Sequence, residues 1–563
     1  MGIRRQSFIL SKLGLAATVA VSFSDGLRAQ VIPDAGSLLQ EMRERERVQP
    51  SESQPPAVVA PVVRPTIRLP DGATVRVASF NISGNVSIAT EQLLPLVAPW
   101  QGKTLDVTGL NEAASAITRH YQSRGFLLTY AYLPVQKIDN DVVEIAVLEG
   151  RVGGVQVVAA TDVRLDDAVV QNHIGETRID STQPARQDDL ERKLLLLNDI
   201  PGVVARGTFA PGSQPGHSDL VVSVVEDEPL EGSFYANNHG STATGQYRLG
   251  AQFHLRDVFG LGDSTRVNLS WSSRQALANG GVSTRVPMGG SGLKLSAGVS
   301  HLTYELDGEF ASLGARGEAD SLQLGASYPL LRTLERNLTL DANADFKHLR
   351  DLIPLIGIDT PKSSRSLSLG LHFDQTDRLL GGGFSRAVLT LQGGTLTLQD
   401  STADLLGTNG TFGKLNYELS REQTLHPGGR LLVRLQGQRV SKNLDSSEKF
   451  SLGGPGAVRA YGPGEAATDN GNLITLEYRY SHAFTGSTLT GRVFYDYASG
   501  DYNHQALATN QDNGVTLRGG GLGLSWNRGD YDLGLTAAWR GAHLPSVNGD
   551  HKPRVYLQLI KGF

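Results

Sequence analysis

The sequence predicts a closed antiparallel transmembrane β-barrel of sixteen strands over residues 230–563, preceded by two α+β modules and a short amphipathic helix. Three observations predict it. Apolar and polar residues alternate through the C-terminal part, a unit of strand-helix-helix-strand-strand order occurs twice before it, and no stretch approaches eighteen consecutive apolar residues. A chain that crosses a membrane without such a stretch crosses it as a barrel.

Composition narrows the function classes. Across 563 residues, 52 basic and 57 acidic side chains give a net charge of −5, which leaves no basic excess for nucleic acid. With 65 glycines and only 3 methionines the chain favours turn-rich β structure over packed helices. Cysteine is absent, so disulfide scaffolds, thiolate metal sites and cysteine nucleophiles are excluded. No G-x-S-x-G elbow, H-E-x-x-H pair or P-loop occurs, and the 13 histidines are scattered. The run Gly519-Gly520-Gly521-Leu522-Gly523 falls in a predicted barrel strand or turn, and Asp188-Asp189 reads as charge at a helix N-terminus, not an acid–base pair. The expectation is a protein that is not an enzyme and takes no cofactor, metal or nucleotide.

Taken in order, residues 1–29 read as a signal peptide. Arg4, Arg5 and Lys12 supply the charged start, Leu13 to Phe23 the apolar core and Ala29 the small residue before the cut. Leu27 departs from the small-residue rule, which leaves the cleavage site open by a few residues, and Arg4-Arg5 also suits a twin-arginine signal. Residues 30–48 then hold a helix from Asp34, placed as N-cap, to about Arg47. Its stripe of Leu38, Leu39 and Met42 is narrow and its other faces are charged, so it is too polar for a core. Two settings suit it: solvent, with Glu41 and Arg45 as an i,i+4 pair, or a polar water-filled cavity. Residues 49–73 form a proline-rich linker that reaches on the order of 70 Å as polyproline II.

The first module covers 74–149: a strand 75–82, helices 90–97 and 110–123, and strands 127–133 and 141–148. The second covers 150–229, with strand 152–158, helices 166–173 and 187–198, and strands 203–210 and 219–226. From 230 the period becomes two. In 337–346, Leu338, Leu340, Ala342, Ala344 and Phe346 alternate with polar residues, and 366–373 repeats the pattern. A soluble sandwich also alternates, so the count decides. Eleven candidate strands precede the loop around Gly453 and five follow it, an even total at roughly 20 residues per strand and turn.

That loop, Gly453 to Glu465, reads GGPGAVRAYGPGE. Glycines give it close backbone approach, prolines stiffen its shoulders, and Arg459 stands among them beside Tyr461. The chain ends on Phe563 with Val555, Leu557 and Leu559 in phase behind it, and Lys561 breaks that apolar phase, its stem placed to snorkel.

This order resembles the TpsB-type transporters of two-partner secretion, the haemolysin secretion/activation protein family, in the outer-membrane superfamily whose periplasmic modules are POTRA domains. The resemblance spans the mature chain. It rests on Leu196 to Val203 (LLNDIPGV), on the junction Leu148 to Val152 (LEGRV), and most specifically on Val458-Arg459-Ala460-Tyr461. The last matches the superfamily's loop-six tetrad, with Ala460 where glycine is usual. Phe494-Tyr495-Asp496 matches the partner motif F-x-D-x-G on the barrel wall, with Ala498 at its glycine place. The ending on Phe563 is similar to the terminal signal of outer-membrane barrels.

The resemblance implies that loop six, about 447–473, folds back so that Arg459 meets Asp496. It implies that helix 30–48 is a plug, that the modules are POTRA 1 and POTRA 2 in the periplasm of a Gram-negative bacterium, and that the barrel lies in outer-membrane lipid. Its function would be to recognise an unfolded partner exoprotein, a TpsA-type adhesin or cytolysin, and secrete it to the cell surface. The barrel-assembly machinery would insert the transporter itself. Two alternatives stay open: a barrel-assembly factor of the same superfamily, in which more POTRA units are expected, and a passive porin, which needs none.

Overall fold

The structure, a computed structural model, describes residues 32–46, 74–159, 163–175, 183–214, 216–400, 404–506, 512–541 and 552–563. The predicted signal peptide and proline-rich linker lie outside the described residues.

Helix α1 (Ala35–Glu46) begins where expected, with Asp34 Oδ1 accepting from the Ser37 N–H at 2.9 Å. The first module contains β1 (Val75–Arg76), β2 (Ser79–Ser83), α2 (Thr90–Val97), β3 (Thr104–Leu105), α3 (Val107–Ser123), β4 (Tyr130–Tyr132) and β5 (Val142–Leu148). Its sheet runs β2-β5-β4, with β2 parallel and β4 antiparallel to β5. The single strand expected over 75–82 is divided: β1 pairs with β3, and at residues 77–78 the chain crosses to β5. Val77 N donates to Lys103 O and Ala78 N to Asp141 O, so one segment serves two partners. Val97, Leu110, Ala114, Ile117 and Tyr121 close a core of their own against Ile82, Val143 and Ile145.

The second module repeats the order with β6 (Arg151–Ala159), α4 (Asp167–Gly175), α5 (Gln187–Asn198), β7 (Val203–Pro211) and β8 (His217–Glu226), its sheet running β6-β8-β7. Leu190, Leu194 and Leu197 of α5 are buried on one face, as their spacing predicts.

Among the described residues, sixteen strands then form a closed barrel. Before the long loop come β9 (Leu230–Asn237), β10 (Arg248–Arg256), β11 (Ser264–Ser272), β12 (Leu277–Met288), β13 (Leu293–Glu305), β14 (Arg316–Arg332), β15 (Arg336–Ile353), β16 (Ile358–Asp377), β17 (Gly383–Leu398), β18 (Gly410–His426) and β19 (Gly429–Val440). The loop carries the short pair β20 (Phe450–Ser451) and β21 (Ala467–Thr468), and after it come β22 (Asn470–Phe484), β23 (Ser487–Asp501), β24 (Gly514–Arg528), β25 (Tyr531–Arg540) and β26 (Arg554–Gly562). Eleven strands before the loop and five after it match the expected division. Loop six spans 441–469, where the sequence suggested about 447–473, because β22 starts earlier than its apolar alternation.

Leu340, Phe346, Leu367, Leu369 and Leu371 are exposed on the outer wall, while Lys347, Ser364 and Ser366 face inward and are buried. That inversion of the usual inside-out rule is what lipid contact requires. The barrel closes by β26 against β9, from Gln558↔Asn237 to Gly562↔Ser233. Phe563 stacks on Phe234 at 5.5 Å and meets Phe253 edge-on at 6.2 Å, so the terminal aromatic staples the outer side of that seam. Lys561 reaches Asp530 at 2.7 Å and lies over the Tyr531 ring.

Candidate functional site

The loop-six tetrad turns into the lumen. A turn with Val458 N donating to Leu452 O at 3.0 Å and Tyr461 N to Val458 O at 3.1 Å sets its shape, and Val458, Ala460 and Tyr461 are fully buried. This presents Arg459 to the inner wall of β22 and β23. Its Nε donates to Asp496 Oδ2 at 2.9 Å, its Nη2 to Oδ1 at 2.8 Å, and its backbone N–H to Oδ2 at 3.1 Å. The guanidinium carbon lies over the Phe494 ring, 3.4 Å from its centroid. Both residues of the predicted wall motif therefore meet the predicted arginine.

Sequence reasoning missed the third member. Arg459 Nη1 also donates to Glu477 Oε2, and Arg479 Nε holds the other oxygen of that carboxylate at 2.6 Å. Thr475 Oγ1 adds a donor to Asp496 Oδ1 at 3.2 Å. The carboxylates of Glu477 and Asp496 are 2% and 1% exposed against 13% for Arg459, so the cluster is largely desolvated. Cross-strand register supplied the missing signal, since Thr475 pairs with Asp496 and Glu477 with Phe494.

The glycine run is also absorbed here. Gly519 and Gly521 lie on the inward face of β24, opposite Asp496 and Phe494. A Cβ on Gly519 would stand 2.4 Å from the Ala460 Cβ, and one on Gly521 would stand 2.4 Å from Phe494. The wall has been cut back to admit Ala460 where a smaller glycine is usual. Tyr556 on β26 completes the seat, its hydroxyl donating to the Tyr461 carbonyl at 2.8 Å.

The helix occupies the other side of the lumen. Ala35, Leu38, Leu39 and Met42 are buried against Leu277, Leu302, Tyr304, Ala319 and Leu349 of β12 to β15. The sequence reading that α1 is too polar for a core is thus corrected. Its narrow stripe is core, and its charges are met by the wall: Arg43 by Asp345 at 3.0 Å, and Glu41 by the buried Arg248 at 3.1 Å. The Arg45 side chain, placed in an i,i+4 pair with Glu41, lies outside the described residues. Asp34 accepts from Ser446 Oγ of loop six at 2.6 Å and from Lys362 Nζ at 3.2 Å, and Lys362 also reaches Asp445 at 2.8 Å. Next to it, Glu448 is held by Lys347 at 2.6 Å and Lys414 at 2.7 Å. Helix, loop and wall share one ionic network.

The two other motifs have structural roles. In LEGRV, Glu149 accepts from the N–H groups of Val86 and Ser87, the Ser87 hydroxyl and the Tyr121 hydroxyl, closing the first module's core. Burial pushes this carboxyl up, but those donors outweigh it and hold the group below the usual carboxylate range. In LLNDIPGV, the Asn198 side chain ties α5 to β7 through Ala205, and Asp199 takes a bidentate pair from Arg332 of β14 at 2.9 and 2.7 Å.

A family model described as haemolysin secretion/activation protein ShlB/FhaC/HecB matches residues 216–526, and a model of the ShlB-type POTRA domain matches 75–150. Among curated proteins, the heme/hemopexin transporter protein HuxB of Haemophilus influenzae is 28% identical over 568 residues, covering 98% of each chain. The outer membrane transporter CdiB of Escherichia coli is 23% identical over 473 residues, covering 82% of this chain and 78% of that one. Among solved structures, CdiB from Escherichia coli superposes with a TM-score of 0.71 at 20% identity, over 95% of this chain and 100% of its own. BamA from Haemophilus ducreyi, lacking its POTRA domains 1–3, gives 0.53 at 14% identity over 87% of this chain and 100% of its own.

Proposed function

The chain belongs to the haemolysin secretion/activation protein family, whose model matches more than half of it, and is an outer-membrane translocation pore of two-partner secretion; we propose a working cycle built on the helix in its lumen. After the signal peptide has taken the chain out of the cytoplasm and the barrel-assembly machinery has inserted it, α1 plugs the barrel at rest. An unfolded exoprotein, a TpsA-type adhesin or cytolysin, is captured by strand addition at a POTRA sheet edge. The available edges are β2 and β4 in the first module and β6 and β7 in the second. Main-chain hydrogen bonds there give affinity with little demand on sequence. The helix then withdraws on its linker and the exoprotein threads the lumen.

The observation that carries this reading is the seating of α1 inside the lumen, by a single narrow apolar stripe against β12 to β15, by ion pairs to the wall and by a hydrogen bond to loop six. The apolar stripe is narrow and the ion pairs described for the helix run to side chains of the wall, so an incoming chain that competes for those groups can release it. Arg459 acts as a conformational latch that keeps loop six folded inward, and no catalytic step is required of any residue. The test is co-expression with a neighbouring exoprotein gene, beginning with a candidate for the heme/hemopexin cargo named for the relative. Release into the medium that depends on this chain supports secretion. Retention of the exoprotein, together with a loss of other outer-membrane barrels when the chain is deleted, would instead make it an assembly factor.

A further inference from the structure

The outer wall carries a concavity of about 820 Å³ across β11 to β16 that the export cycle does not use. Its floor is apolar. Val282, Val299, Leu322 and Phe346 stand opposite one another in successive strands, all exposed on the lipid-facing side. Arg365 continues that row, paired in register with Phe346. One row nearer the extracellular end, His301, Asp320 and His348 follow one another across β13 to β15. On β13 to β15 the floor is thus the last apolar row before the wall turns polar, and Arg365 with His301, Asp320 and His348 stands on its edge.

The rim is incompletely neutralised by the protein. His301 Nδ1 pairs with Asp320 at 2.7 Å, and higher on the wall Arg350 is taken up by Asp359 at 2.9 and 2.7 Å. The side chains of Arg365 and His348 have no hydrogen-bond or ion-pair partner among the described residues, although both are exposed on the lipid side. An outward guanidinium beside hydrocarbon is unfavourable unless an anion or the headgroup layer receives it. Its planar fork matches a phosphate through two parallel hydrogen bonds.

We propose that this concavity binds an outer-leaflet lipid, with an acyl chain along Val282, Val299, Leu322 and Phe346 and a headgroup phosphate on Arg365 and His348. The inference rests on the orientation of the barrel in the outer membrane and not on the export cycle, so export can persist if it fails. The full chain, delipidated and placed in phosphatidylcholine nanodiscs, is offered bis-phosphorylated lipid A, dephosphorylated lipid A or phosphatidylglycerol. Lipid retained on the released protein is counted by native mass spectrometry.

The expected result is selective retention of bis-phosphorylated lipid A. Retention should fall at least tenfold in Arg365→Gln/His348→Gln and in the groove-filling Leu322→Trp, and stay unchanged in Arg350→Gln. Heat-modifiable migration in gels verifies that each variant is a folded barrel. Equal retention of dephosphorylated lipid A would overturn the proposal, as would undiminished retention by the double variant. Preference for phosphatidylglycerol would overturn the outer-leaflet assignment. Inorganic phosphate at millimolar concentration should displace nothing, and full displacement would reduce the site to a phosphate site without an acyl groove.

Discussion

Removing Arg459 and removing Asp496 are unequal perturbations. Without Arg459, two buried carboxylates lose the cation they share, Glu477 keeping Arg479 and Asp496 keeping the Thr475 hydroxyl. Without Asp496, Arg459 keeps Glu477 as a partner. Truncating one member of a desolvated pair typically costs about 3–5 kcal/mol, and stranding two like charges sits at the upper end. Both Arg459→Ala and Asp496→Ala should reach the outer membrane yet fail to export, with loop six more protease-sensitive in Arg459→Ala than in Asp496→Ala. Normal export by both variants would sink the latch, and equal protease sensitivity would remove Glu477 from it. The arginine was legible because a charged residue flanked by glycines, prolines and an aromatic is an unusual loop. Glu477 was not legible, because on an alternating strand any inward carboxylate reads as pore lining until register places it one row from Asp496.

At the scale of elements, α1 shows where sequence polarity misleads. A helix with a narrow apolar stripe is solvated in isolation, but a barrel wall supplies both the missing apolar surface and the counter-charges. Its first turn is also close-packed on loop six: a Cβ on Gly36 would meet Ser446 Oγ at 2.5 Å and Ser447 N at 2.7 Å. Deleting 30–48 should raise ion conductance in planar bilayers, and Gly36→Val should reproduce much of that rise by unseating the helix without shortening the chain. An unchanged conductance in both would mean that the helix is no plug. The strands, by contrast, were readable in number and phase, since lipid on one side and water on the other enforce alternation, although β15 and β16 run several residues beyond the alternation seen at 337–346 and 366–373. In the first module, Glu149 makes stability pH-dependent. Its folded pKa is depressed, so its contribution is fully present above the ordinary carboxylate value and is lost as pH falls through the depressed one. Chemical denaturation of the first module, followed by hydrogen exchange in the full chain, should show that acid-labile contribution vanish in Glu149→Gln. An unaltered acid dependence in that variant would assign it to another group.

At the scale of the molecule, the LLNDIPGV segment explains how a soluble module is fixed beneath a pore. Asp199 sits at the C-terminal end of α5 and receives the Arg332 fork, while its carbonyl accepts from Lys294 Nζ at 3.0 Å. Arg192 Nη2 donates to Pro329 O at 2.9 Å and Glu191 accepts from Leu334 N at 2.8 Å. Turn glycines provide the close approach, since a Cβ on Gly262 would stand 2.8 Å from Ile200 and one on Gly292 2.7 Å from Leu196. None of this was legible in the sequence, where the motif only marked the end of a helix, because its partners lie more than 60 residues downstream in strand ends and short turns. Asp199→Ala or Arg332→Ala should loosen the second module from the barrel while both stay folded. Residues in such contact couple by on the order of 1–3 kcal/mol. The native chain has no cysteine, so spin labels at Thr208→Cys and Arg378→Cys report one distance. Either alanine variant should broaden that distance distribution, and the swap Asp199→Arg with Arg332→Asp should narrow it again. A distribution that stays narrow in both alanine variants would show that the apolar contacts of Leu196 and Ile200 hold the module unaided. Export by the same variants then tells whether a fixed module is required for export, since a module loosened from the barrel would present anything bound to it at random angles to the pore.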